Sequence, residues 1–275
     1  ILSRLSRATR SMTESLERFR LDEAALTGYS FFWGEVADWY LEIVKPRLRG
    51  EMGDRSREAA RSTLVLVLDM TLRLLHPLMP FITETVWQRL PRRDSESASI
   101  MTAEWPSPLP RLEDAVAEGQ MEMLQEMVGA VRNLRAEYGV QPARKVSLRV
   151  DGLNDDMEGV VDASRRVLAD LARVDDVTFG GAEGGVSVSA VLRSGAQIFL
   201  PLEGVIDLDR ERERLRSEID RIAAQVANTE AKLANERFVS RAPDEVVQRE
   251  RDKLVSFAEQ EQKLTATLRA LAGSA

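Results

Sequence analysis

The chain has 275 residues, 44% hydrophobic and 30% charged, with a formal net charge of −7, the balance of a folded protein rather than a disordered or fibrous one. It has no cysteine and one histidine, His76, which excludes disulfides and zinc–cysteine sites and makes any Ser-His-Asp triad depend on that one imidazole. The acidic balance argues against a generally adhesive nucleic-acid binder while leaving room for local basic stripes.

No run of eighteen apolar residues is present to span a membrane, and no basic-then-apolar leader opens the chain. Ile1 stands where a methionine would start a protein, and ILSRLSRATR reads as the inside of a helix, so the chain is expected to be cut from something longer. The lack of cysteine fits a reducing, cytoplasmic setting.

Ile1 to about Phe19 reads as a helix with Leu5, Met12, Leu16 and Phe19 on one face. Arg4, Arg7 and Arg10 share another face at spacing three, as a solvated basic surface or a phosphate-contacting edge. The stretch from Asp22 to Pro46 organises the chain. Leu26, Tyr29, Phe32, Trp33, Val36, Tyr40, Ile43 and Val44 make one broad apolar face, with Gly34, Glu35, Asp38 and Glu42 on the wet side. Asp22 is expected to cap this helix and Pro46 to end it. Its rings read as core, or as a surface that stacks a nucleic-acid base.

After a polar break, Asp54 is expected to cap a third helix over Arg55–Leu75, with Leu64, Val67, Leu68, Leu72 and Leu75 inward. His76, in LLHPLMPF, reads as a helix-end residue. Phe81–Leu90 forms a shorter fourth helix with Ile82, Val86 and Trp87. Four helices on short loops make a bundle. PRRDSESASIMTAEWPSPLP reads as a connector laid over the surface.

A long helix runs from near Leu112 to Tyr138, with Gly139 as terminator. The period then changes to two. Lys145–Val150, Val174–Phe179, Val186–Leu192 and Ala196–Leu200 read as strands, with a helix over Asp156–Arg173. The glycines of Gly180–Gly185 join strand to strand, which suits a hairpin loop. A phosphate cradle needs glycines that lead into a helix N-terminus. Asp155 and Asp156 form an acidic pair in a loop without acid/base partners, so an enzyme standing on this chain alone has little support.

From Leu208, apolar residues alternate at four and three. Leu208, Leu215, Ile219, Ile222, Val226 and Leu233 form one series, with Arg212 and Thr229 in its polar slots. Val247, Leu254, Phe257, Leu264, Leu268 and Leu271 form a second, after a turn at Pro243. Two such helices make an antiparallel coiled-coil hairpin projecting about 45 Å. By composition this hairpin reads as a dimerisation or spacer arm. The fold class is therefore mainly α: a helical bundle over residues 1–110, a long helix with a small α+β unit over 111–204, and the arm over 205–275.

Several blocks resemble one family. FFWGEVADWYLEIVKPRL, LLHPLMPFITETVWQRL and SIMTAEWP are similar to the anticodon-binding helical domain of class I aminoacyl-tRNA synthetases. VRNLRAEYGVQPARKV resembles the helix that follows it. LPLEGVIDLDRERERL and KLANERFVSRAPDEVVQRERDKL resemble the C-terminal arm of the valyl enzymes. The isoleucyl enzymes usually end in cysteine-bearing zinc modules, and this chain has no cysteine.

The resemblance implies ATP-dependent attachment of valine to tRNA(Val) by a parent enzyme that uses ATP and Mg. The HIGH-like and KMSKS-like signatures of that chemistry, and the editing domain, are absent from this sequence. The chain alone is therefore expected to be inactive, with no metal or cofactor of its own. Its expected partners are tRNA(Val) and the upstream catalytic domain of the same polypeptide, with no membrane partner, and it is expected to be a cytoplasmic monomer.

The resemblance also implies that the bundle faces the anticodon while the arm lies on the tRNA elbow, giving phosphate and shape contacts. Lys253 sits at an arm position where the family tends to place a basic tRNA contact. Asn228 occupies a corresponding place on the first arm helix without a charge. Arg237, Arg241 and Arg249 flank the hairpin turn, and Arg4, Arg57 and Arg61 are candidates on the anticodon side by helix position. The alternative is a structural coiled-coil protein that dimerises or docks through its arm and has no RNA role.

Overall fold

The computed structural model describes residues 1–91, 97–181, 185–205, 207–235 and 243–272. Ile1–Glu122 and Met123–Ala275 form two compact units.

The first unit is helical. α1 (Leu2–Glu17) presents Leu5, Ala8 and Met12 to a core completed by Phe31, Val36, Val67, Met70 and Leu74. Phe19, expected on the inner face, is instead 88% exposed with φ +58°. It occupies the left-handed position that closes α1, where the Arg20 N–H donates to the Ser15 carbonyl and the Phe19 N–H to Leu16.

The stretch read as one helix over Asp22–Pro46 is a continuous rod with an unusual middle. It comprises α2 (Leu21–Ser30), a π-helical segment (Phe31–Tyr40) and α3 (Leu41–Leu48). The Leu41 N–H donates to the Val36 carbonyl, five residues back. This register corrects the expected face. Ala24, Gly28 and Phe31 follow ordinary helical spacing into the core, and the next buried residue, Val36, comes five positions later. Leu26, Tyr29 and Trp33 point outward, at 65%, 61% and 50% exposure.

Both expected ends of the rod are corrected as well. Arg20 occupies the N-cap without a side-chain cap, and Asp22 lies within the first turn, where its negative charge meets the positive end of the helix dipole favourably. Pro46 lies inside α3 and is buried. Proline's fixed φ is itself helical, so the chain continues with one donor missing. Gly28 sets the packing distance: a Cβ there would lie 2.7 Å from Leu75 Cδ2 and 3.1 Å from Met12 Cε.

α4 (Asp54–Leu75) starts from Gly53, not from a side-chain cap by Asp54, which instead pairs with Arg57 at 2.9 Å. Val67, Leu72 and Leu75 are buried as expected, and Leu64 and Leu68 are partly so. His76 caps α4, its Nδ1 2.7 Å from Thr83 Oγ1 on α5 (Pro80–Trp87). Trp87 is buried with Leu72 and Ile100, whereas Ile82 is 54% exposed. Beyond residues 92–96, which lie outside the described set, the connector does lie along the bundle. Ser99 and Ile100 donate to the Glu84 carboxylate, Trp105 Nε1 to Thr13 Oγ1, and the Leu109 N–H to Ser6 Oγ. α6 (Ala115–Glu137) gives its first turns to this unit.

In the second unit α6 ends as expected at Gly139, whose φ of +63° lets the Val140 N–H reach back to the Arg135 carbonyl. Buried Arg135 donates to the carbonyls of Gln141 and Pro142 and holds the turn into the sheet. The strands are β1 (Val146–Asp151), β2 (Val174–Phe179), β3 (Ser187–Val191) and β4 (Gln197–Pro201), in the order β2-β1-β4-β3. β1 and β2 are parallel, and the other pairings are antiparallel. Val146, Leu148, Val150, Val188, Ile198 and Leu200 line the buried face.

Two expectations change here. The helix over Asp156–Arg173 is two, α7 (Asp155–Ala163) and α8 (Arg165–Ala172), broken at Ser164. Asp155 and Asp156 therefore sit in a first helical turn capped by Asn154, not in a loop. Gly180–Gly185 does not close a hairpin, because β2 and β3 are opposite edges of the sheet; residues 182–184 lie outside the described set. The hairpin is β3–β4.

The arm consists of α9 (Leu208–Ala234) and α10 (Asp244–Ala272). Arg212, near the start of α9, donates to the Leu271 carbonyl near the end of α10, and Lys232 lies 3.7 Å from Glu250, so the helices are antiparallel. Leu215, Ile222, Thr229, Val247 and Leu271 are buried along the seam. The 27 residues of α9 give the arm a length of about 40 Å at roughly 1.5 Å per residue.

Candidate nucleic-acid interface

Of the cations proposed on the arm, Lys253 and Arg249 lie among the described residues. Lys253 is 56% exposed, and its ammonium lies 2.6 Å from Glu250 Oε1. Glu250 is also the partner of Lys232. One carboxylate on α10 thus ties together a lysine from each arm helix. The Lys253 hydrogen bond is the largest cause holding the Glu250 carboxyl below its ordinary range. The contacts at 212/271 and 232/250 set a register that puts Asn228 level with Leu254 and Val255, within two residues of Lys253. Asn228 is exposed. Arg249 precedes Lys253 by four residues, so both share one face of α10. Arg237 and Arg241 lie outside the described residues.

Beside Arg249, the structure adds three residues that the sequence did not single out. Among the described residues, Arg216 on α9 and Arg249, Arg251 and Lys263 on α10 make no ion pair. Their signal in the sequence is only that they sit off the heptad seam. Arg214 and Arg221, equally basic in the sequence, are engaged by Glu211 and Glu218.

The three candidates on the bundle are all paired, and they fall in different surroundings. Arg4 is 29% exposed and lies among Glu35 at 3.5 Å, Glu118 at 3.4 Å and Glu122 at 2.7 Å. Arg7 also reaches Glu118, at 3.0 Å, and Ser3 donates to the same carboxylate. Ser6 and Arg10 converge on Glu113. The arginine row of α1 is therefore a ladder that fastens α1 to the carboxylates before and within α6, rather than an open basic edge.

Arg57 and Arg61 lie one turn apart on α4, paired with Asp54 at 2.9 Å and loosely with Glu58 at 3.9 Å. Arg61 is 64% exposed and opens onto a cleft of about 740 Å³ beside Val65, Leu66, Asp69 and Trp87. Asp69 accepts the Trp87 indole N–H at 2.6 Å. In the second unit a cleft of about 760 Å³ lies at the foot of the arm, lined by Tyr138, Arg144, Arg210, Glu211 and Arg214. Among the described residues no group of three or more His, Asp or Glu converges on one point as a metal cage would require, and no helix is long and apolar enough to cross a membrane. The arrangement of exposed cations can grip and position a polyanion.

Comparison with known proteins agrees with this division. A family described as the anticodon-binding domain of tRNA ligase matches residues 1–150. A second, described as the valyl tRNA synthetase tRNA binding arm, matches residues 207–272. The chain is 37% identical to a valine–tRNA ligase of Acinetobacter baylyi over 276 residues, covering 99% of this chain and 28% of the relative. It is 38% identical to that of Carboxydothermus hydrogenoformans over 266 residues, covering 96% and 30%. It is 36% identical to that of Thermotoga maritima over 271 residues, covering 98% and 30%. The chain thus spans about 30% of the length of these relatives. With its helical bundle matched throughout and an arm of the valyl type in the same chain, the protein belongs to the anticodon-binding domain family of tRNA ligases.

Proposed function

We propose that this chain is the tRNA-gripping portion of a valine–tRNA ligase, acting on tRNA(Val) within a polypeptide of the relatives' length. The observation that carries this reading is the presence in one chain of an anticodon-family bundle and a valyl-type arm on which Arg216, Arg249, Arg251 and Lys263 make no ion pair among the described residues. The bundle faces unstacked anticodon bases, and the arm lies along the tRNA elbow, where the D and T loops meet. The arm's cations neutralise phosphates, so affinity falls as salt rises.

Attachment of valine belongs to the parent enzyme, with ATP and Mg as its cofactors, on a domain upstream in the same polypeptide. This chain contributes binding energy and orientation, as a cytoplasmic monomer that makes no use of a membrane. The fit of its own residues to ATP is poor, since Gly180–Gly185 follows a strand and leads toward another strand.

Footprinting of tRNA(Val) with this chain tests the reading. Protection is expected at the anticodon loop and at the elbow, lost at high salt, with the protein sedimenting as a monomer. Absence of protection at any salt, together with a stable dimer through the arm, would overturn it in favour of a structural coiled-coil protein.

A further inference from the structure

The rod formed by α2, the π-helical segment and α3 has two unlike faces. One buries Ala24, Gly28, Phe31 and Val36 in the bundle. The other carries Leu26, Tyr29 and Trp33, each at least half exposed. The Tyr29 and Trp33 rings are 6.3 Å apart, and Phe32 meets Trp33 edge-on at 5.4 Å, so the rings support one another as a firm surface. Beside them Ser30 and Gly34 keep the helix shallow, and a Cβ at Gly34 would meet nothing within 4 Å. Spacing of three and four over Leu26, Tyr29 and Trp33 suits the packing of another protein element.

The rim argues against a nucleic acid here. Asp22 and Glu23 lie at one end of the stripe and Asp38 and Glu42 at the other. The neighbouring cations on the rod are already engaged, Arg20 by Glu23 at 2.8 Å and Lys45 by Glu42 at 2.5 Å. A phosphate backbone would meet uncompensated carboxylates at Asp22 and Asp38. A protein surface with an apolar centre and a basic border meets no such repulsion. The relatives extend well beyond the region that this chain matches, which fills only 28–30% of their length.

We propose that Leu26, Tyr29 and Trp33 form an intramolecular docking face, covered by the part of the polypeptide that the relatives carry beyond the matched region, through an apolar patch bordered by Lys or Arg. This inference rests on the reading that the chain works inside a polypeptide of that length.

Hydroxyl-radical footprinting with mass spectrometry tests it at Tyr29 and Trp33, in this chain and in the full-length gene product, with buried Trp87 as the reference for an intact bundle. Modification of Tyr29 and Trp33 is expected to fall at least tenfold in the full-length protein. It is expected to stay unchanged when tRNA is added to this chain or its concentration is raised. Equal modification in the two proteins would overturn the inference. So would protection of this chain by tRNA, which marks a base-stacking platform, or concentration-dependent protection, which marks a contact between copies. Filter retention of tRNA by the same samples reports separately on the proposed function. A chain that retains tRNA while Trp33 stays equally open in both proteins sinks only the docking face.

Discussion

Replacing Arg216, Arg249, Arg251 and Lys263 together by glutamine is expected to flatten the salt dependence of tRNA binding. None of the four makes an ion pair among the described residues, so each can take a phosphate without breaking an existing contact. Each phosphate contact contributes about 0.7–0.9 to the slope of log affinity against log salt, so losing four lowers the slope by about 3. Over a fourfold rise in salt, that difference is about 1.8 decades, or roughly 60-fold in affinity. Lys253→Gln is expected to change the slope by less than one contact, because its ammonium must first leave Glu250, 2.6 Å away. The assay is filter binding of tRNA(Val) across a salt series, with far-ultraviolet circular dichroism to confirm that the arm stays helical. An unchanged slope in the quadruple variant, with helix content intact, would refute the assignment of these cations to the RNA. A larger effect from Lys253→Gln than from all four would show that pairing within the arm does not restrain a phosphate contact.

Other outcomes follow from the bundle and the arm. Glu118→Ala removes the carboxylate, 7% exposed, that receives Ser3, Arg4 and Arg7. It is expected to cost about 3 kcal/mol, the lower end for breaking a buried pair because both arginines are partly solvated; urea unfolding checks it, and a loss under about 1 kcal/mol would mean that the ladder is merely a surface network. Gly28→Val pushes methyl groups into Leu75 and Met12 and is expected to cost about 1–3 kcal/mol, whereas Gly34→Ala, facing open space, is expected to raise the melting temperature of this chain. Acid is expected to loosen the bundle first where carboxylates bind connector and helix. Hydrogen bonds, led by Gln88 at Glu84 and by Ser6 at Glu113, hold both carboxyls below the ordinary value of 4.5. A lowered folded-state pKa gives stability that is complete above the unfolded value and is lost as pH falls through the folded one. The urea midpoint should therefore be flat above pH 4.5 and decline below it, with a shallower decline in Glu113→Gln.

Much of the arm was legible in the sequence because a heptad seam is a local, repeating signal. Leu215, Ile222, Val247 and Leu271 are buried where the four-three alternation put them, and Arg212 fills a polar slot by donating to the Leu271 carbonyl. The strands were legible for the same reason, since alternation at two is read directly from KVSLRV. The candidate site was far less so. Arg214, Arg216, Arg249 and Lys253 look alike in the sequence, yet Glu211 and Glu218 engage the first and Glu250 the last.

The sequence by itself determined the class of each element, the antiparallel arm and the blocks that resemble a tRNA ligase, because each depends on residues close together in the chain. Tertiary structure alone decided which side of the aromatic rod faces the bundle. A π-helical segment makes more residues per turn than an α-helix, so a wheel drawn at the α-helical period assigned Tyr29 and Trp33 to the interior that Gly28 and Phe31 occupy. It also decided that the arginines of α1 bind carboxylates more than a hundred residues away. Such pairings arise from close packing between distant segments, which a local period does not encode.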